Sequence, residues 1–139
     1  MAGFVDASPA RFRHPAVLAF GAWSALIWLT RVRNILQDDA LDAAGKAMWL
    51  VPALVFGLGG VVALVAWWRG VPALARPLAA VLLLTVLYWP IRTVFILFDG
   101  RSMMFRLVHV VLSVVSVGLA VAAGSRLART NLIPRGAYR

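Results

Sequence analysis

Residues Pro77–Phe98 read PLAAVLLLTVLYWPIRTVFILF, a stretch in which Arg92 is the single charged side chain. As a helix it is about 33 Å long at ~1.5 Å per residue, enough to cross a hydrocarbon core of about 30 Å. A backbone facing lipid has to satisfy its own hydrogen bonds, and the stretch lacks the alternation of a barrel strand, so a helix is the expected form. Pro77 stands at the helix start, where its missing amide proton costs nothing, and Gly100 lies just past the end as a stop. Pro90 is interior; it should kink the helix and free the carbonyl of Val86. An ionisable group at the depth of Arg92 is costly unless it is paired or reaches water, which makes it a candidate functional residue.

Three further stretches carry the same signal. The spans run over about 15–36, 47–68, 77–98 and 103–123, giving an all-α integral membrane protein: one domain over 1–139, built as a four-transmembrane-helix bundle with short loops. The apolar fraction of 63% and charged fraction of 14% lie far from the roughly 45–50% and 25% of soluble domains. The first apolar run ends in Arg31-Val32-Arg33 without a small-residue cleavage site, so it reads as a retained helix led by Pro15 and not as a secretory signal. Four spans place both termini on one side.

The net charge of +9 would suggest nucleic acid in a soluble protein, but these charges flank apolar spans. The expected partners are therefore anionic membrane lipids, with no nucleic acid. One side collects Arg11, Arg13, Arg69, Arg76, Arg126, Arg129, Arg135 and Arg139 with Asp6; the other collects Arg31, Arg33, Lys46, Arg101 and Arg106 with Asp38, Asp39, Asp42 and Asp99. The excess on the first side favours cytoplasmic termini. Arg used almost to the exclusion of Lys, together with abundant Ala, Val, Gly and Leu, suggests a high-GC bacterial source and hence a bacterial plasma membrane. Trp49, Trp67 and Trp68 sit where an interfacial belt would place them, whereas Trp23, Trp28 and Trp89 are deeper and should pack inside.

A polar stripe runs through the second half of the chain. Thr85, Tyr88, Arg92 and Asp99 share one face of the third helix, and Arg106, His109, Ser113 and Ser116 one face of the fourth. The short Gly100-Arg101-Ser102 connection makes these helices antiparallel neighbours, so Arg92 should lie level with His109, Tyr88 with Ser113 and Thr85 with Ser116. In the plainer reading the stripe is helix-to-helix glue, with Arg92 reaching back to pair with Asp99 about 10 Å along the helix. In the sharper one, Arg92, His109 and Arg31 form a cationic pocket for a phosphate, a lipid headgroup or a partner's carboxylate, a role suited to the planar fork of arginine. A proton relay is a third use of His109, since histidine is the side chain that changes charge near neutral pH.

Other chemistries find little support. The chain has no Cys, which removes thiolate metal sites, iron–sulfur clusters, disulfides and a Cys nucleophile. His14 and His109 begin opposite ends of the bundle and cannot ligate one haem iron, so no cofactor is expected. Asp38-Asp39-Ala40-Leu41-Asp42 resembles, over five residues, the aspartate-rich motif of prenyl-diphosphate enzymes. On a helix, Asp38 and Asp42 would share a face and could take magnesium. The second motif of those enzymes is missing, and the plainer expectation is that Asp38 or Asp39 caps an extended second helix. Small residues four apart, at Gly21/Ala25, Ala53/Gly57, Gly59/Ala63 and Ala120/Gly124, provide close-approach faces inside the bundle or against another subunit or copy. From size, the missing catalytic constellation and these faces, the leading expectation is a non-catalytic accessory or stabilising subunit of a larger membrane complex. The alternative is a small transporter or flippase-type protein that handles an anion through Arg92 and His109.

Overall fold

The computed structural model describes residues 12–132; Asp6, Arg11, Arg135 and Arg139 of the charge count lie outside the described residues. The described chain is helical: α1 (Pro15–Leu36), α2 (Ala43–Arg69), a single 3-10 turn over Pro72–Leu74, α3 (Ala75–Phe98) and α4 (Met103–Leu132). Each of the four helices is long and apolar enough to cross a membrane. The polarity runs from inside to outside as lipid demands: Leu26, Leu58, Leu83, Phe95 and Val114 are exposed, while Ser24, Thr85, Ser113 and Ser116 are buried. The protein is a four-helix membrane bundle.

The helix ends follow from local chemistry. His14 caps α1, its Nδ1 accepting from the amide of Ala16 at 3.1 Å, and Pro15 fills the first helical position. Asp42, and not Asp38 or Asp39, caps α2, its carboxylate accepting from Gly45 N at 2.7 Å. Asp38 instead accepts from Ala40 N at 3.0 Å in a local turn. Gly70 (φ 64°) ends α2 and Gly100 (φ 75°) follows α3, each in the left-handed region open to glycine. α3 begins two residues ahead of Pro77, which therefore still lies in the first turn, where no intrahelical donor is lost. α4 continues past Ala123 to Leu132 and carries Arg126 and Arg129 on the turns beyond the apolar span. Pro52 and Pro90 sit inside continuous helices.

The helices form a ring in which α1 packs most extensively on α2, α3 on α4, and α1–α4 and α2–α3 close the circle. Small residues set the tightest crossing. A Cβ on Gly60 of α2 would lie 2.5 Å from Ala25 N and 2.9 Å from Gly21 O of α1, and one on Gly59 would lie 2.5 Å from Val81 Cγ1 of α3. The small-residue faces of α1 and α2 are thus spent inside the bundle. Ser24 adds a buried bond across the same crossing, donating to Phe56 O at 2.9 Å.

The core has two halves. Toward the end bearing Arg69, Arg76, Arg126 and Arg129 it is made of Val17, Phe20, Ala63, Ala66, Leu78, Leu82, Ala120 and Ala123. Toward the end bearing the four described aspartates it is aromatic, built from Trp28, Phe56 and Trp89 with Ile35, Ala53 and the partly buried Tyr88. Trp28 stacks on Phe56 with centroids 4.9 Å apart and meets Trp89 at 5.6 Å and Tyr88 at 5.7 Å.

Candidate anion site

At the aspartate-bearing end the bundle is not filled. A cavity of about 290 Å³ is lined from α1 by Thr30, Arg31 and Asn34, from α2 by Trp49 and Pro52, from α3 by Tyr88, Trp89 and Arg92, and from α4 by His109 and Leu112, with Leu26, Ile27 and Trp28 completing it. Water occupies roughly 30 Å³ per molecule, so the space holds an oxyanion with several waters. Arg31, Arg92 and His109, which the sequence places on three helices, come together here. Each lies within about 7–9 Å along its helix from the nearer end, at ~1.5 Å per residue, so they share one level in the bilayer. The wall contains no Asp or Glu.

The surroundings of Arg92 decide its role. Its guanidinium carbon lies 4.7 Å from the centroid of the Trp49 ring, in cation–π contact. Asp99, the partner expected for it, is occupied elsewhere: Arg101 Nε donates to Asp99 Oδ2 at 2.8 Å and the Arg101 amide donates to Oδ1 at 3.2 Å. Desolvation, the largest single influence, would raise the Asp99 carboxyl, but these two bonds and the charges of Arg101 and Arg106 together outweigh it and hold the group below its ordinary value. The Arg101–Asp99 pair is the only ion pair among the described residues, so Arg92 has no counter-charge there. A cation–π contact is worth about 0.5–2 kcal/mol but supplies no hydrogen-bond acceptor, so the guanidinium donors of Arg92 are left to whatever enters the cavity.

His109 is fixed by its own helix. Its Nδ1 is 2.8 Å from Phe105 O, and its ring lies 4.1 Å from that of Phe105, centroid to centroid. Trp89 in the cavity wall is 4% exposed, and its buried Nε1 has no hydrogen-bond partner; Thr93 Oγ1 and Arg106 Nε are in the same condition between α3 and α4. Two arginines and no carboxylate in the wall make this a donor-rich, acceptor-poor space.

The rest of the expected polar seam is built differently. Thr85 does not reach Ser116: its hydroxyl donates to Val81 O of its own helix at 2.8 Å. Ser116 accepts instead from Trp23 Nε1 of α1 at 2.9 Å. Ser113 is buried, and Tyr88 packs on Trp28 and Phe56 at 5.7 and 4.9 Å, in the aromatic cluster and not in a polar file. Helical periodicity identified the inward faces of α3 and α4 but not that α1 supplies the partner, and Trp49, Asn34 and Trp89 escaped a search restricted to ionisable groups. Asp38, Asp39 and Asp42 precede α2, so the shared helical face expected for Asp38 and Asp42 is not formed. Among the described residues no group of three His, Cys, Asp or Glu side chains is placed to hold a metal ion.

Comparison of the chain with protein-family models, with curated proteins and with solved structures finds no match.

Proposed function

We infer that this is an anion-handling membrane protein, a small transporter or flippase-type bundle that takes an oxyanion, free or on a lipid headgroup, between Arg31, Arg92 and His109. The observation that carries this reading is the convergence of those three side chains, from three helices, on one cavity whose wall contains no carboxylate. Arg92 is the central ligand, held in place by Trp49 and left without a protein counter-charge. With cytoplasmic termini, as the distribution of basic residues favours, the site belongs to the non-cytoplasmic half of a bacterial plasma membrane.

The accessory-subunit reading draws on small-residue faces, and those of α1 and α2 are used within the bundle, at Gly60–Ala25 and Gly59–Val81. Its remaining support is small size and the α3–α4 groove lined by Ala75, Ala79, Ala120 and Gly124. Copurification from native membranes at fixed stoichiometry with a larger chain would favour it.

The anion reading is tested with the full chain in nanodiscs of zwitterionic lipid, titrated with inorganic sulfate or with short-chain phosphatidylglycerol. Arg92→Leu should abolish binding in a protein that keeps its helicity and insertion, and Arg92→Lys should restore it only in part, because an ammonium cannot form the bidentate fork. If Arg92→Leu binds both probes as the unaltered chain does, the site is not used.

A further inference from the structure

The Phe105 carbonyl can only accept, so at 2.8 Å it is His109 Nδ1 that carries the hydrogen and donates. In the neutral ring this leaves Nε2, the nitrogen pointing away from the backbone, as a bare lone pair. His109 lines the cavity with Arg31 and Arg92. A lone pair offers an oxyanion no hydrogen bond; once protonated, the same nitrogen becomes a charged donor. The two states of one atom therefore differ in their affinity for an anion, and by reciprocity the anion changes that atom's affinity for a proton.

The geometry points to His109 as a proton site coupled to the anion: each oxyanion that enters the cavity brings one proton from solvent onto Nε2, and releases it on leaving. This rests on the reading of the cavity as an anion site. The groups that set the balance are Arg31 from α1, Tyr88 and Arg92 from α3, and Arg106 one turn away on α4; α2 contributes only the uncharged Trp49 and Pro52. Asp99, the acid nearest along α3, is engaged by Arg101. The cavity wall holds no carboxylate, so the negative charge that favours a proton on Nε2 is that of the bound dianion or headgroup phosphate itself. A sulfate or phosphate would then meet two guanidinium groups and an imidazolium.

Sulfate and phosphatidylglycerol serve as probes because neither titrates over about pH 5.5–8, the range in which histidine changes charge. The full chain in zwitterionic nanodiscs is titrated with each, calorimetrically, in two buffers of different ionisation heat. The expected result is uptake of close to one proton per anion on the alkaline side of that range, with affinity falling about tenfold per pH unit there. Binding of sulfate identifies the occupant as a free oxyanion, and binding of phosphatidylglycerol alone as a headgroup. In His109→Gln the proton uptake should vanish, and the affinity should become flat in pH at the weak value of the unaltered protein at high pH. Nitrogen NMR of the two imidazoles is independent of any substitution: at fixed pH the probe should drive His109 to the doubly protonated pattern and leave His14, at the opposite end of the bundle, unmoved. Binding without proton uptake, or uptake that persists in His109→Gln, overturns the coupling and leaves the anion site standing. No binding of either probe at any pH, in protein of intact helicity, overturns both.

Discussion

A Cβ placed on Gly60 would sit 2.5 Å from the backbone nitrogen of Ala25, so α1 and α2 touch main chain to main chain at this crossing. Backbone cannot yield by changing rotamer. Gly60→Ala should therefore force the helices apart and destabilise the bundle by about 1–3 kcal/mol, the usual penalty of overpacking. Gly118→Ala, where nothing lies within 4 Å, should be neutral or slightly stabilising. Thermal or denaturant unfolding in detergent compares the two, and equal effects would show that the crossing is not tight.

The Trp23 to Ser116 bond, at 2.9 Å, ties α1 to α4. Hydrogen bonds between membrane helices average about 0.6 kcal/mol and reach about 1.7. Ser116→Ala and Trp23→Phe should each cost an amount that includes this bond, and the double variant should cost less than their sum by about that coupling. An additive double-mutant cycle would mean that the bond contributes nothing.

Trp49 meets Arg92 through the face of its ring, 4.7 Å from the guanidinium carbon. Trp49→Leu should weaken sulfate or phosphatidylglycerol binding by roughly the worth of a cation–π contact, about 0.5–2 kcal/mol, while Trp49→Phe should keep part of it. Both variants should show the same pH dependence as the unaltered protein, because His109 is untouched. Equal affinity in all three proteins would remove Trp49 from the account.

Asp99 gives a pH dependence of known sign. Desolvation is the largest single influence on its carboxyl and would raise it, but the Arg101 bonds and the Arg101 and Arg106 charges together hold it below the ordinary value of 3.8. A carboxylate with a lowered folded-state value stabilises the loop at every pH above the unfolded value, and the contribution is lost as pH falls through the folded one. Carboxyl-carbon NMR should find the Asp99 midpoint below 3.8 and should find it moved upward in Arg101→Gln. The Arg101 side chain is 56% exposed, so the effect on global stability should be small.

Apolar length and proline and glycine punctuation were enough to read four spans, Pro15 at a helix start and Gly100 as a stop, because lipid imposes those features on sequence locally. The convergence of Arg31, Arg92 and His109 was also legible, through the level at which each lies in its span. What the sequence could not reveal is which neighbour a polar group meets. Periodicity assigns a residue to a face, and Ser116 faces inward as expected, but whether it meets Thr85 or Trp23 depends on the rotation of α1 about its axis. Gly60 was overlooked for a similar reason: pairs spaced by four single out Gly57 and Gly59, whereas the closest approach is set by the crossing point itself. Asp42 outcompeted Asp38 as the cap because the turn before α2 took up Asp38 with Ala40 N at 3.0 Å.

Pro52 and Pro90 both lie in the aspartate-bearing half, one in the cavity wall and the other between Trp89 and Arg92. Each removes one rung from its helix's hydrogen-bond ladder, and the freed carbonyls belong to Met48 and Val86. The Gly60–Ala25 contact lies at the middle of α1, and the Gly59–Val81 contact lies toward the other end of α3. The bundle thus resembles a clothes-peg, clamped from its middle toward the arginine-rich end and compliant at the jaws. Any bending of α2 or α3 at these prolines would therefore change the width of the cavity, because the missing rungs lie at its level.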